Sequence, residues 1–437
     1  MSRRPQQLPA VHEAWLPREH ALYRPRHSGR QRTALICALA FFVTPTLLWV
    51  FGARPAEIEN HSLKSFPSFS DGWGMVTDLP EWATDQLIFR SGAIQAADGI
   101  SRTLFGESAP LDQGGAPKSG PLPGSPPPPP GAQPPVGPGG PTNGDAGFRQ
   151  VVEGSDGWLY YGYDAEAKCS PTRTLAETTG QLAKLRAAVE DSGRQFVLVV
   201  APDKTTMVPQ HLPSTYPGKD CVTSATPELW NRIIGQAGAV DLQPYLHDAQ
   251  RKMNRPIYPS NDSHWTDEGA IVLSRQVAEA IRPGVTRLWQ TPLFGDYTID
   301  ADLPPLLGKR APKTNTKYEL RPDGVDDRAA EPVDNMEDPQ RRTQRPLPGM
   351  VTKKTLLYGD SFIKVSSRYL TAAFSDVTLL AYHNQRNDTS AAVKAFADSE
   401  VVVLEVVERG IAAGNLPFLQ DGFIDSVRTQ LAAKPIR

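Results

Sequence analysis

Hydrophobic and polar positions divide the chain into stretches of different character. Residues 34–52, ALICALAFFVTPTLLWVFG, form an uncharged apolar run. As a helix it reaches roughly 28 Å, close to the hydrocarbon thickness of a bilayer. Pro45 would kink a soluble helix there but is tolerated in a membrane one. Between residues 79 and 104, Trp82, Leu87, Ile88, Ile94 and Leu104 suggest one amphipathic helix. Then comes GGAPKSGPLPGSPPPPPGAQPPVGPGGPTNGD, which has no apolar period and cannot bury a core. Its proline blocks favour extended polyproline II, so the segment reads as a spacer.

From Phe148 onward the pattern alternates. GSDGWLYYGYD at 154–164 reads as a turn and an aromatic strand, and 172–191 has helical spacing through Leu175, Leu182, Leu185 and Val189. FVLVVA at 196–201 is a continuous apolar run of strand length, as expected for a strand buried on both faces. Helices are predicted near 227–238, over 267–281 and from Ser361 to about 374, with further strands at 355–358, 377–382 and 400–407. Strands alternating with helices predict an α/β layer fold with a largely parallel sheet. Residues 302–350 are polar, proline-containing and weakly periodic, and read as a surface insertion.

Charge adds topology. The formal net charge is only -2, yet Arg3, Arg4, Arg18, Arg24, Arg26, Arg30 and Arg32 precede the apolar run against Glu13 and Glu19 alone. Such a cluster keeps the N-terminus cytoplasmic and sends the chain beyond the run outside. The run is long for a signal-peptide core, and no clean small-x-small cleavage pattern comes after it, which favours a retained anchor. The predicted organisation is a basic cytoplasmic tail (1–33), a transmembrane anchor (34–52), a juxtamembrane stalk (53–107), a Pro/Gly-rich linker (108–147) and an extracytoplasmic catalytic domain (148–437) in the cell envelope. The mildly acidic remainder argues against nucleic acid as a partner. Of three cysteines, Cys37 lies in the apolar run, and Cys169 and Cys221 fall where oxidation is permitted, so one disulfide between them is the economical reading. No Cys/His spacing suggests a metal.

Two short blocks carry candidate chemistry. In YGDSF, Ser361 follows a buried strand and opens a helix, so it sits at the carboxyl edge of the sheet, where its amide favours developing negative charge. Read blandly, Asp360 and Ser361 are helix caps. In NDSHWT, Asp262 and His264 are two apart on a loop, which lets a carboxylate meet imidazole Nδ1 and leaves Nε2 for a serine. Its bland reading is an Asx turn. Together the blocks supply a nucleophile, a base and an orienter, because a serine hydroxyl is too weakly acidic to act without a base.

These blocks, with others in the same order, carry a resemblance. Glu59-Asn60, Phe66-Pro67, GSDGWLYY at 154–161, Pro202-Asp203-Lys204, DSHWT, Asp302-Leu303, YGDSF and EVVER at 405–409 together resemble the alginate O-acetyltransferase proteins of the AlgJ and AlgX type. Their Asp-x-His pair precedes the serine, a permuted order relative to ordinary SGNH esterases. The resemblance implies a three-layer α/β/α SGNH-hydrolase-like domain with Ser361 as nucleophile, His264 as general base and Asp262 as its orienting acid. The backbone N–H groups of Ser361 and Phe362 are oxyanion candidates. Arg409 matches a family position and either approaches the pocket or pairs with Glu405 or Glu408. Trp265 and Tyr358 are packing residues or sugar platforms. No cofactor is implied. The expected reaction is O-acetylation of an extracytoplasmic polysaccharide or cell-wall glycan, with acetyl groups delivered by a separate multispanning acyltransferase. An esterase with the same triad and a non-catalytic subunit of a glycan-modifying complex are the alternatives. The separate Gly and Asn blocks of ordinary SGNH enzymes are not recognised; Asn384 and Asn387 are available, with nothing in the sequence that selects them.

Overall fold

The computed structural model describes residues 29–51, 82, 96, 148–383 and 389–436. The stalk helix expected over 79–104 and the linker therefore lie outside the described residues, as do Asn384 and Asn387. The helix Gly29–Val50 belongs to one compact unit and residues 148–436 to another. That helix covers most of the apolar run but begins in the polar sequence GRQRT. The apolar part it retains sits at the short end of the roughly 17–25 residues that a bilayer needs. Among the described residues, no helix is long and apolar enough to cross a membrane. The transmembrane helix expected over 34–52 is thus not reproduced as a spanning element.

The larger unit is built on a six-stranded sheet. In chain order the strands are β1 (Val151–Glu153), β2 (Leu159–Tyr161), β3 (Gln195–Ala201), β4 (Val240–Asp241), β5 (Leu293–Asp300), β6 (Pro312–Tyr318), β7 (Gln340–Thr343), β8 (Thr355–Gly359), β9 (Asp376–Ala381) and β10 (Val401–Val407). The main sheet runs β4-β3-β10-β8-β9-β7, while β1-β2 and β5-β6 form separate hairpins. Every neighbour pair from β4 to β9 is parallel, and β7 closes the edge antiparallel to β9. The sheet is mostly parallel, as the continuous apolar strands predict.

Strand alternation explains the layers. Val197, Val199, Leu357, Leu379, Val401 and Val403 face one side, where Leu273 and Val277 of the helix Asp267–Ile281 and Phe362 and Leu370 of the helix Ser361–Ala372 pack. Phe196, Leu198, Leu356, Tyr358, Val402 and Leu404 face the other, against the helices Leu175–Glu190, Lys219–Gly235 and Asp421–Ala432. Two apolar layers on one sheet give the α/β/α sandwich. Thr174 opens the first of these outer helices with a capping box to Glu177. Cys169, ending the helix Tyr163–Cys169, is bonded to Cys221 of the helix Lys219–Gly235, with Cα atoms 5.8 Å apart.

One expectation fails. Residues 302–350 are not a surface insertion, because Leu320, Val333, Met336 and Met350 are buried and β7 extends the main sheet. Their polar composition hid the edge strand β7 and the strand β6, which pairs with β5 and brings Lys313 to Asp262.

Candidate active site

Three strands deliver functional side chains to one edge of the sheet. β3 leads into Asp203-Lys204, β8 into Asp360-Ser361, and β10 into Glu408-Arg409. In parallel sheets this carboxyl edge is where ligands gather. The turn after β8 requires glycine: a Cβ on Gly359 would lie 2.4 Å from Ile363 Cγ1 and 2.7 Å from Glu405 Oε2. Asp360 then caps the helix Ser361–Ala372, and its carboxylate accepts from Phe362 N at 2.9 Å, Tyr382 Oη at 2.8 Å and Val407 N at 2.9 Å. Beneath it, the buried Glu405 accepts from Asp360 N at 3.2 Å. Burial first, then the nearby Asp360, pushes the Glu405 carboxyl well above the usual range. Ser361 is therefore presented from a turn fixed on three sides.

The loop before the helix Asp267–Ile281 faces it. His264 Nε2 lies 2.8 Å from Ser361 Oγ. On the far side of the ring, Nδ1 meets Asp262 Oδ1 at 3.1 Å and Asp302 Oδ2 at 3.2 Å. With carboxylates on Nδ1, the neutral ring carries its proton there and turns the Nε2 lone pair to the serine. Asp262 also accepts from His264 N at 2.9 Å, the local turn that the Asp-x-His spacing allows. Lys204 Nζ anchors the loop from below, donating to the carbonyls of Asp262 at 3.1 Å, Ser260 at 2.8 Å and Leu159 at 2.7 Å.

The electrostatics favour an imidazolium. Burial opposes charge on His264, but the hydrogen bonds and charges of Asp262 and Asp302 outweigh it and raise the pKa to about 9. Burial likewise opposes charge on Asp262, yet Lys313 Nζ, 2.7 Å from Oδ2, and His264 hold it below the usual carboxylate range. Asp262, His264 and Asp302 bring one possible ligand atom each within 4.8 Å of one another. The imidazole atom in that group is already shared between two carboxylates, and Lys313 compensates Asp262, so the cluster fits an orienting role better than a cation site.

A family model described as "SGNH hydrolase-like domain, acetyltransferase AlgX" matches residues 151–402, more than half of the chain. The chain belongs to this family. A "Probable alginate O-acetylase AlgJ" of Pseudomonas syringae pv. tomato is 29% identical over 199 residues, 42% of this chain and 47% of that relative. The same-named protein of Pseudomonas putida is 26% identical over 200 residues, 42% of this chain and 48% of its own length. The chain spans about half the length of these curated relatives. Among solved structures, the O-acetyltransferase domain of Pseudomonas putida AlgJ gives a TM-score of 0.42 at 20% identity, covering 64% of this chain and 98% of that one. Pseudomonas aeruginosa AlgX gives 0.38 at 16% identity, covering 64% and 68%.

In this AlgX-family chain the structure brings Ser361, His264 and Asp262 together and separates the remaining candidates from them. The Phe362 amide is not free for an oxyanion, because it donates to the Asp360 cap. Of the two candidate amides, only that of Ser361 remains. Trp265 is no sugar platform: it is buried, its Nε1 donates to Ser366 Oγ at 3.0 Å, and it meets Phe362 edge-on at 4.7 Å between ring centroids. Tyr358 lies under the opposite face of the sheet, among Phe396, Phe418 and Phe423. Arg409 is buried too, and its partners are not Glu405 or Glu408. Its Nη1 reaches Asp203 Oδ1 at 3.0 Å and Asp164 Oδ1 at 3.3 Å. It supports the site from behind, with its guanidinium over the Phe362 and Tyr161 rings.

Two site residues escaped sequence reasoning. Asp302 and Lys313 lie in the stretch read as an insertion, whose polar pattern gave no sign of a fold-back onto the sheet. Asp302-Leu303 does stand among the blocks of the resemblance, the one signal that could have found it.

Proposed function

We propose that the protein is an O-acetyltransferase that passes an acetyl group through Ser361 to a hydroxyl of an extracytoplasmic polysaccharide. The observation that carries this reading is the hydrogen-bonded chain from Ser361 Oγ through His264 to two carboxylates, at the sheet edge where substrates bind. In the first step Ser361 Oγ attacks the acetyl carbonyl as its proton passes to His264 Nε2. The leaving group departs with that proton, and the acetyl ester on Ser361 remains. In the second step a sugar hydroxyl attacks the ester, gives its proton to Nε2, and Ser361 recovers it as the product leaves. The Ser361 amide at the helix N-terminus supports the oxyanion in both steps.

The names of the AlgJ relatives make a uronic-acid polysaccharide of the alginate class the first acceptor to try. Purified protein supplied with an activated acetyl ester and mannuronate oligosaccharides is expected to yield acetylated oligosaccharide by mass spectrometry, faster than free acetate. Acetate release that ignores the oligosaccharide would assign the protein to the esterases. The donor in the cell is proposed to be a multispanning membrane acyltransferase that carries acetyl groups outward.

Localisation at the cell membrane, with the catalytic domain outside, belongs to the same proposal. It is supported by the uncharged 34–52 run behind an arginine cluster and by the Cys169–Cys221 bond, which suits an oxidising compartment. The protein is expected to stay with membranes through an alkaline carbonate wash and to be digested by protease added outside spheroplasts. Recovery in the soluble fraction would reject the anchor.

A further inference from the structure

Orienting acids in serine triads are ordinarily single, and here the imidazole has two. Asp302 Oδ2 stands 3.2 Å from Nδ1, almost the 3.1 Å of Asp262 Oδ1. The two carboxylates arrive on different parts of the chain: Asp262 on the loop before the helix Asp267–Ile281, Asp302 just beyond β5. They are locked to each other. Asp302 N donates to Asp262 Oδ2 at 3.1 Å, Ser263 N donates to Asp302 Oδ1 at 2.8 Å, and Ser263 Oγ donates to Asp302 Oδ2. Asp302 thus holds both the ring and the loop that bears it.

Their surroundings differ in a way that divides the work. The Asp262 side chain is 2% exposed and has Lys313 Nζ of β6 at 2.7 Å, whereas that of Asp302 is 19% exposed and open to water. The Lys313 ammonium holds Asp262 charged against its burial. The same ammonium weakens the field of Asp262 at the ring. Two more basic groups stand near His264: Lys204, which reaches the Asp262 carbonyl and whose pKa burial lowers to about 7, and Arg409, which lies behind Phe362. Phe362 itself meets the imidazole at 5.0 Å between centroids.

We propose that Asp302 is a second positioning residue of this site, sharing the Nδ1 proton of His264 with Asp262, while Lys313 limits how much of the Asp262 charge reaches the ring. Its catalytic consequence rests on the acetyl-transfer reading above; its electrostatic content does not. A base must be neutral to accept the serine proton, so an imidazole stabilised as imidazolium makes the rate climb with pH. Asp302→Asn removes one negative charge from Nδ1 and lowers the midpoint of the ring. Lys313→Met removes a positive charge from beside Asp262 and raises it. A merely structural role for these residues does not give shifts of opposite sign.

The experiment follows the imidazole itself. Full-length protein labelled with carbon-13 histidine is titrated by NMR, with the His264 signal assigned by its loss in His264→Gln. The midpoint is expected to fall by about one pH unit in Asp302→Asn, to rise measurably in Lys313→Met, and to return toward the native value in Asp302→Glu. The acid limb of kcat/KM for acetyl transfer is expected to move with it, and the plateau in Asp302→Asn to drop about tenfold, as one pH unit of lost imidazolium stabilisation implies. An unchanged midpoint in Asp302→Asn, or shifts of the same sign in both variants, overturns the proposal. Should Asp302→Asn fail to fold, an unmoved midpoint in Lys313→Met overturns it alone. Midpoints that shift as expected while the rate profile stays fixed uphold Asp302 and reject the acetyl-transfer reading.

Discussion

Replacing Ser361 with alanine is expected to cut acetyl transfer by at least about a thousandfold while leaving the fold intact. The size comes from the role of the hydroxyl. Ser361 Oγ is the atom facing His264 Nε2, at 2.8 Å, and no other described hydroxyl holds that position. Without it there is no acetyl ester on the protein, and direct attack by the acceptor is left with the backbone amide of that position and binding alone. The fold should survive because the Asp360 cap, the Gly359 turn and the Phe362 packing all use atoms that alanine retains. The check is a paired measurement: transfer rate, and covalent labelling by a sulfonyl or phosphonyl fluoride with subsequent peptide mapping. Native protein should carry the label on Ser361, and Ser361→Ala should carry none. A variant that keeps more than a tenth of the native rate would remove Ser361 from the mechanism. His264→Ala should behave similarly in both assays, because the serine then has no base.

Much of this arrangement is legible in the chain without its fold, and the reasons are specific. Strands buried on both faces announce themselves as unbroken apolar runs, so the predicted 196–201 and 400–407 fall within a residue of β3 and β10. The helix expected over 267–281 is found at Asp267–Ile281. The Asp-x-His spacing predicts a carboxylate against Nδ1 because a two-residue turn brings the side chains together locally. The hidden part depends on distance along the chain. Asp302 and Lys313 are 40 and 51 positions beyond Asp262, in polar sequence, and the β5-β6 hairpin carries them to His264 and Asp262. The fate of the Phe362 amide is hidden for a different reason. A helix N-terminus offers several amides, and whether a cap takes one depends on the rotamer of Asp360. Trp265 and Tyr358 mislead because aromatic side chains beside a site are as suited to its packing as to its ligand, and only burial separates the two.

Arg409→Met is expected to lower the unfolding free energy by roughly 3–5 kcal/mol near pH 7, the range seen when one partner of a buried ion pair is removed. Behind the site, five charged side chains share a volume closed to solvent: Asp164, Lys168, Asp203, Glu408 and Arg409. Lys168 Nζ meets Asp203 Oδ2 at 2.8 Å and Glu408 Oε1 at 3.1 Å, and Arg409 spans Asp203 and Asp164. Three carboxyls face two cations, so the cluster is neutral only when it holds one extra proton. Asp164 is placed to hold it: burial first, and then Asp203, push its pKa up to about 7 against the pull of Arg409 and Lys168. A carboxyl raised in the folded state binds a proton that the unfolded chain has lost, so its contribution falls as pH rises from about 4 toward 7. Removing Arg409 takes away the cation nearest Asp164 and widens that window upward. The deficit of Arg409→Met should therefore be larger at pH 8 than at pH 5, where Asp164 is protonated in both proteins. Arg409→Lys should fall between, because an ammonium restores charge without spanning both carboxylates. Urea unfolding at the two pH values measures this directly. A loss below about 1 kcal/mol at pH 8, or one independent of pH, would mean that water reaches the cluster and shares the load of Arg409. The site would feel the larger loss as well, since Asp203 leads directly into Lys204, whose Nζ holds the loop that bears His264.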